Sequence, residues 1–314
     1  FGDSNFRSGK SKYLVIEADE YKASFLNYWP KIIILTTVDK DHLDYFKNLS
    51  NILKTFIQFV RHLPRDGWLV ANRDDLNTRK IVNTRYQILD TKYKKREYSL
   101  GQPDAKKLRK ILKISGDHIL ADALAALTVA RILKISDRIS FRALGEYRGA
   151  WRRFEVSKIL SPKPYTLISD YAHHPTEVSV TLKAVREKYP QKKIWCVFQP
   201  HQYQRTHYLF SDFVKVLSQA PIDKLILAPI YSVAGRESRS IKKKVSSFKL
   251  AQAVQKIQNT KYQIPDTKTI YIPSLQKIAQ CLKKNLMDND VLVVMGAGDI
   301  YRLPEILENK IISH

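Results

Sequence analysis

Tyr165-Thr166-Leu167-Ile168-Ser169-Asp170-Tyr171-Ala172-His173-His174-Pro175-Thr176-Glu177 is the stretch on which the reading of the fold turns. Its apolar head, Tyr165–Ile168, predicts a strand. The chain then releases an acid, two adjacent imidazoles and a proline into the start of a helix. Thr176 and Glu177 stand where such a helix wants a capping hydroxyl and a first-turn acid. A strand that ends in titratable groups before a helix is how an α/β domain builds a site at the carboxyl edge of its sheet. Adjacent loop histidines are often only solvated polar residues, so the functional reading depends on the rest of the chain.

Downstream, strand-like runs at Ile194–Phe198, Lys224–Ala228, Thr269–Ile272 and Val291–Met295 alternate with helical patterns at Thr176–Lys188, Tyr208–Gln219, Phe248–Ile257 and Ser274–Leu286. That alternation predicts crossover units and a mostly parallel sheet. Upstream the pattern is also α/β but more broken. Tyr13–Ile16, Ile32–Leu35 and Trp68–Ala71 read as strands, Leu49–Leu63 as an amphipathic helix with Ser50 near its start, and Ala121–Leu133 as an alanine-rich helix. Between Tyr86 and Lys110 irregular strand and loop are expected. Gly145 to Gly149 is the best boundary, giving domains 1–149 and 150–314.

The 314 residues suffice for two domains with separate cores. Hydrophobic content of 44% with 27% charged residues excludes a disordered chain, and no apolar run approaches the roughly 20 residues that span a bilayer. Two cysteines, Cys196 and Cys281, make no disulfide framework, which favours a reducing cytoplasm. The polar opening from Phe1 to Lys12 reads like the middle of a domain, so an amino-terminal portion is expected to be missing. A net charge of +24 raises the question of nucleic acid. Yet the lysines are scattered in small groups and no aromatic platform interleaves with them, so solvated lysine-rich faces and no nucleic-acid partner are expected.

Polar clusters follow the strands of the first half: Glu17-Ala18-Asp19-Glu20, Asp39-Lys40-Asp41-His42-Leu43-Asp44 and Asn72-Arg73-Asp74-Asp75, with Arg152-Arg153-Phe154-Glu155 opening the second half. Carboxylates and an imidazole gathered at a sheet edge suit a hard cation such as Mg²⁺ that bridges to substrate phosphates. Any one cluster alone is more simply a solvated loop.

Taken in order, these clusters resemble the Mur ligase family. The likeness is carried further by Ala23-Ser24-Phe25, Gly116-Asp117-His118, Phe198-Gln199-Pro200-His201 with Arg205-Thr206, and Gly296-Ala297-Gly298. The resemblance implies the later part of a central ATPase domain followed by a Rossmann-like carboxyl-terminal domain, with the UDP-binding domain and the phosphate-binding glycine loop absent. Gly9-Lys10-Ser11 imitates that loop, but no strand precedes it and Ser4 stands where the first glycine belongs. The implied chemistry is ATP-dependent ligation: a carboxylate becomes an acyl phosphate, which an amine then attacks. Implied substrates are ATP, UDP-N-acetylmuramate and L-alanine.

By the same resemblance Glu17 and His42 would bind Mg²⁺, and Asn72 and His118 would contact nucleotide. Arg153 and Asp170, with Tyr171, would hold the phosphate and ribose region. His174 would line the cleft, while His201 and Arg205 would face the amino acid and the acyl phosphate, a guanidinium being suited to a carboxylate. Each has a plainer reading: a helix cap for Glu17, an ion-paired surface residue for His42, a boundary salt bridge for Arg153. Thr37, Ile119 and Asp122 depart from asparagines usual in the family near the adenine, and Gln202 from an arginine. A ligase that attaches a whole tripeptide to the same sugar is the alternative within the fold, and a basic non-enzymatic binding module the alternative outside it.

Overall fold

The structure, a computed structural model, describes residues 6–83, 93–160, 163–234, 237, 239–259 and 268–308. It holds two sheets, one on each side of residue 150. The first has three parallel strands in the order β1 (Ile32–Leu35), β2 (Trp68–Asn72), β3 (Lys94–Tyr98). Side-chain alternation along β2 sends Leu69 and Ala71 into one core with Phe25, Ile52 and Phe59. Val70 goes into another with Tyr98, Leu108 and Leu124. Helices therefore cover both faces. The helix Leu49–Val60 is capped by Asn48, whose carboxamide oxygen accepts from Asn51 N at 2.9 Å, rather than by Ser50.

The sequence reading fails in two places here. Tyr13–Ile16 forms no strand: Leu14 and Val15 are 81% and 93% exposed. An apolar run becomes a strand only beside a ladder partner, and among the described residues β1 pairs on one side only, with β2. Conversely β3, expected to be irregular, is an ordered edge strand. Its Lys-Lys-Arg-Glu sequence hides it, since β2 supplies its register and only Tyr98 is buried. The helix Pro103–Ile111 was equally hidden, because it buries just Ala105 and Leu108. Residues 84–92 of that uncertain stretch lie outside the described residues.

The second sheet has six strands in the order β4 (Glu155–Ile159), β5 (Tyr165–Asp170), β9 (Val291–Met295), β6 (Ile194–Phe198), β7 (Lys224–Leu227), β8 (Lys268–Tyr271). All neighbours are parallel except the antiparallel edge strand β4. Burial on both faces explains why β6 and β9 are unbroken apolar runs. Ile194, Cys196 and Phe198 face the core under the helix Pro175–Lys188, while Trp195 and Val197 face the core under the helix Leu275–Asn285. The connection from β5 to β6 passes over β9, so Asp170, Gly296 and Gln199 meet at the carboxyl edge. Gly296 must be glycine there: φ is +144°, and a Cβ would lie 2.7 Å from the Gln199 carbonyl oxygen.

Asp223 anchors the start of β6. Its Oδ2 accepts from Ile194 N at 2.7 Å and from Arg186 Nη2 at 2.8 Å. Asp223→Ala is expected to lower stability by about 1–2 kcal/mol, the usual effect of leaving such donors unpaired, read as a lower urea midpoint with an unchanged slope. No helix among the described residues is long and apolar enough to cross a membrane.

Candidate active site

A cleft of about 920 Å³ separates the two lobes. Glu17, Glu20, Asp39, Asp41, His118 and Asp122 line it from the first lobe; Arg153, Asp170, His173, His174, Thr176 and Glu177 line it from the second. The loop after β1 reaches across. Thr176 Oγ1 donates to Asp39 Oδ2 at 2.5 Å, Lys40 Nζ pairs with Asp212 Oδ2 at 3.0 Å, and Arg205 grips Asp41. Its own lobe holds the same loop through Asn77 Nδ2, which donates to Val38 O at 2.8 Å.

His174 is fixed by both ring nitrogens. Nδ1 accepts from Thr176 N at 3.3 Å, so Nε2 carries the proton and donates to Lys40 O at 2.9 Å. The ring is thus a tie between the lobes. It also caps the helix Pro175–Lys188, in a capping box with Glu177. Thr176, expected to supply the cap, instead spends its hydroxyl on Asp39.

Glu177 Oε2 accepts from His173 N and His174 N at 2.9 and 3.1 Å and faces the His173 ring at 3.4 Å. Burial works to raise its carboxyl, but His173, those two backbone donors and Arg153 outweigh it and hold Glu177 below the ordinary range. Burial pushes the His173 imidazole down while Glu177 opposes it, and Nδ1 donates to Tyr171 O at 3.1 Å.

On the far side Arg205, 7% exposed, donates from Nε and Nη2 to the two oxygens of Asp41 at 2.9 and 3.0 Å. Burial would raise Asp41; the paired guanidinium overrides it and holds the carboxyl well below the usual carboxylate range. His201 Nδ1 lies 3.3 Å from Arg205 Nη1, and its ring stacks on Tyr231 at 5.6 Å between centroids. His42, at φ +50°, sets Nε2 3.5 Å from Glu20 Oε1 and 3.9 Å from Asp41 Oδ2. Burial raises the Glu20 carboxyl above its ordinary value, and His42 opposes it.

Asp170, 4% exposed, accepts from Ala172 N at 2.7 Å and Phe154 N at 2.8 Å. Burial nonetheless pushes its carboxyl up. Those bonds fix the segment that carries Arg153, whose guanidinium lies 5.3 Å from the Tyr171 ring centre and 3.5 Å from Glu177 Oε1. Opposite, burial and Arg153 lower the His118 imidazole, and its Nδ1 is buried without a partner among the described residues. Gly116 makes room for that ring: φ is +121°, and a Cβ would come within 2.6 Å of His118 Cε1.

Glu17, His118, Arg153, Asp170 and His174 therefore share the cleft. His42 and Arg205 line a small adjoining pocket with Asp41, and His201 joins them through Arg205. Asn72 and Tyr171 do not line the cleft; Asn72 is buried at the end of β2 with its carboxamide oxygen accepting from Asp74 N at 3.0 Å. Asp41, His173 and Glu177 stood in the stretches quoted from the sequence, but none was given a site role of its own. The four-residue spacing of His173 and Glu177 was a visible signal, whereas the Asp41–Arg205 pair spans 164 residues and was not.

No three acidic, histidine or cysteine groups among the described residues converge as a ready metal site. Magnesium does not require one, since it takes one or two carboxylates and completes its shell with water and phosphate oxygens. Glu17 and Glu20 in the cleft wall, with His42 beside Glu20, fit that demand.

Residues 4–130 match the family model for the Mur ligase middle domain, and residues 152–298 the model for the Mur ligase glutamate ligase domain. The UDP-N-acetylmuramate–L-alanine ligase of Clostridium acetobutylicum is 36% identical over 98% of this chain, which spans 67% of that relative's length. Among solved structures, the UDP-N-acetylmuramate–alanine ligase of Thermotoga maritima superposes with a TM-score of 0.62 at 20% identity, over 91% of this chain and 61% of the other. A Thermotoga maritima MurF ligase in complex with ADP superposes with a TM-score of 0.60 at 18% identity, over 90% of this chain and 62% of the other. Two adjoining domain matches and a relative at this identity, on a fold shared with the solved ligases, establish that this chain belongs to the Mur ligase family.

Proposed function

We propose that this chain supplies the nucleotide-binding and amino-acid-binding lobes of an ATP-dependent enzyme that joins L-alanine to UDP-N-acetylmuramate for peptidoglycan. One observation supports this reading most: two lobes present acids and an imidazole from one side, and Arg153, His173 and His174 from the other, to a single cleft of nucleotide size. A carboxylate is a poor acyl donor. Transfer of the γ-phosphoryl to a carboxylate oxygen breaks the β,γ P–O bond and leaves ADP. The alanine amine then forms the C–N bond as the acyl C–O bond breaks, releasing phosphate and a proton.

Positioning and charge neutralisation do most of such work. Arg153 is the half-exposed cation in the cleft and meets phosphate charge. Magnesium, held by Glu17 and His42 with Glu20 alongside, would neutralise phosphate charge. Arg205 offers the two-point fork that a carboxylate accepts, as Asp41 already demonstrates. His174 and Asp170 act on position: one ties the lobes together and thereby limits water entry, the other fixes the segment carrying Arg153. An enzyme consuming ATP and a nucleotide sugar works in the cytoplasm.

The full-length protein is expected to release ADP and phosphate only when ATP, UDP-N-acetylmuramate and L-alanine are present together. Release that persists without the nucleotide sugar would overturn the reading, and turnover with a tripeptide but not with alanine would redirect it to the other acceptor.

A further inference from the structure

Asp41 occupies the guanidinium fork that the steps above give to an amino-acid carboxylate. Arg205 is 7% exposed, and its Nε and Nη2 are both spent on the two oxygens of Asp41. One fork cannot hold two carboxylates, so substrate and Asp41 must exchange. Each partner of the pair has a second support that survives the exchange. Asp41 Oδ1 also accepts from His42 N at 2.7 Å, and Arg205 Nη1 lies 3.3 Å from His201 Nδ1. The chain before Asp41 is pinned as well, by His174 on Lys40 O and by Thr176 on Asp39. The two charged groups can therefore turn apart while the main chain stays in place. Beside them opens a pocket of about 10 Å³ with Leu43, Tyr208, Leu209 and both members of the pair in its wall. That is roughly the room of one water, and a methyl group is of similar size.

We propose that L-alanine enters by inserting into the Asp41–Arg205 pair: Arg205 takes its carboxylate, Asp41 takes its ammonium, and the methyl group fills the adjoining pocket. The proposal rests on the ligase reading above and adds the residue that receives the amino group. Its warrant is charge balance. A carboxylate entering alone would displace Asp41 and leave it in a partly buried site without a cation, which is costly. An amino acid arrives as a zwitterion and avoids that cost, because every charge keeps an opposite partner throughout the exchange. Asp41 also lies on the His42 side of the guanidinium, with Oδ2 3.9 Å from His42 Nε2. The nitrogen is thus held on the side of the pair where magnesium and the acyl phosphate would stand.

The consequence is a preference for the zwitterion over its anionic half. Wild-type enzyme is expected to bind L-alanine roughly 100-fold or more tightly than propionate, the same molecule without its amino group, because propionate strands Asp41. In Asp41→Asn no anion is displaced. Alanine should weaken by about 10-fold or more and propionate should tighten, which brings the two within about tenfold of each other. A purely structural role for Asp41 would weaken both ligands together and leave their ratio unchanged.

Equilibrium dialysis of labelled L-alanine and propionate against the full-length enzyme, wild type and Asp41→Asn, each holding UDP-N-acetylmuramate and a non-hydrolysable ATP analogue, is the test. A preference for alanine that Asp41→Asn leaves unchanged would overturn the proposal and move the ammonium to the other acid of the pocket wall, Asp44. The wild type decides the matter without the variant, should the variant not fold: propionate binding within tenfold of alanine would also overturn it. Absence of L-alanine binding by the wild type would overturn the ligase reading, and this proposal with it.

Discussion

Arg205→Ala is expected to lower kcat/KM for L-alanine by roughly 30-fold to several thousand-fold, corresponding to about 2–5 kcal/mol for truncating one partner of a buried charge pair. The loss has two sources that a second measurement separates. One is the missing carboxylate fork. The other is Asp41, left buried without its guanidinium. In the wild-type chain the folded value of Asp41 lies below the unfolded one. Its contribution to stability is therefore full above the ordinary carboxylate range and is lost as pH falls. In Arg205→Ala the effect of burial dominates and raises the folded value above the unfolded one. The sign then reverses, and the variant loses stability as pH rises through that value. Urea midpoints at pH 5 and pH 8 read this directly. Adding Asp41→Asn should recover the stability at pH 8 but not the activity. A variant whose midpoints follow the wild-type pH trend would show that Arg205 does not govern Asp41.

What the sequence made legible follows from how each element is held. β6 and β9, buried on both faces, had to be apolar throughout and were found with correct ends. β3 is held by β2 from one side and needs no apolar pattern, so Lys94-Lys95-Arg96 concealed it. Tyr13–Ile16 shows the converse, an apolar pattern with no ladder beside it. The site divides along the same line. Asp170, His173 and His174 were visible because strand end, loop and helix cap are contiguous in the chain. The pairs Asp41–Arg205 and Lys40–Asp212 join residues 164 and 172 apart, and nothing local in either segment announces its partner.

Arg153→Ala is expected to raise the dissociation constant for ADP by about 10- to 100-fold, the scale of one or two charge-assisted hydrogen bonds. The backbone presenting this side chain is over-determined. Arg152 and Phe154 both take positive φ, +55° and +50°. They are held there by Tyr171 N donating to Arg152 O at 2.6 Å, by Arg152 N donating to Glu155 Oε2 at 3.1 Å, and by the Arg152 guanidinium on Gly296 O. Arg153 itself is only loosely engaged: its side chain is 46% exposed and its ion pair with Glu177 is 3.5 Å long. A rigid mount with a lightly paired guanidinium suits capture of an incoming phosphate rather than stability. The variant should therefore keep its urea midpoint within about 1 kcal/mol, as for exposed pairs generally, and its KM for L-alanine should change little. An unchanged ADP affinity would remove Arg153 from the phosphate site.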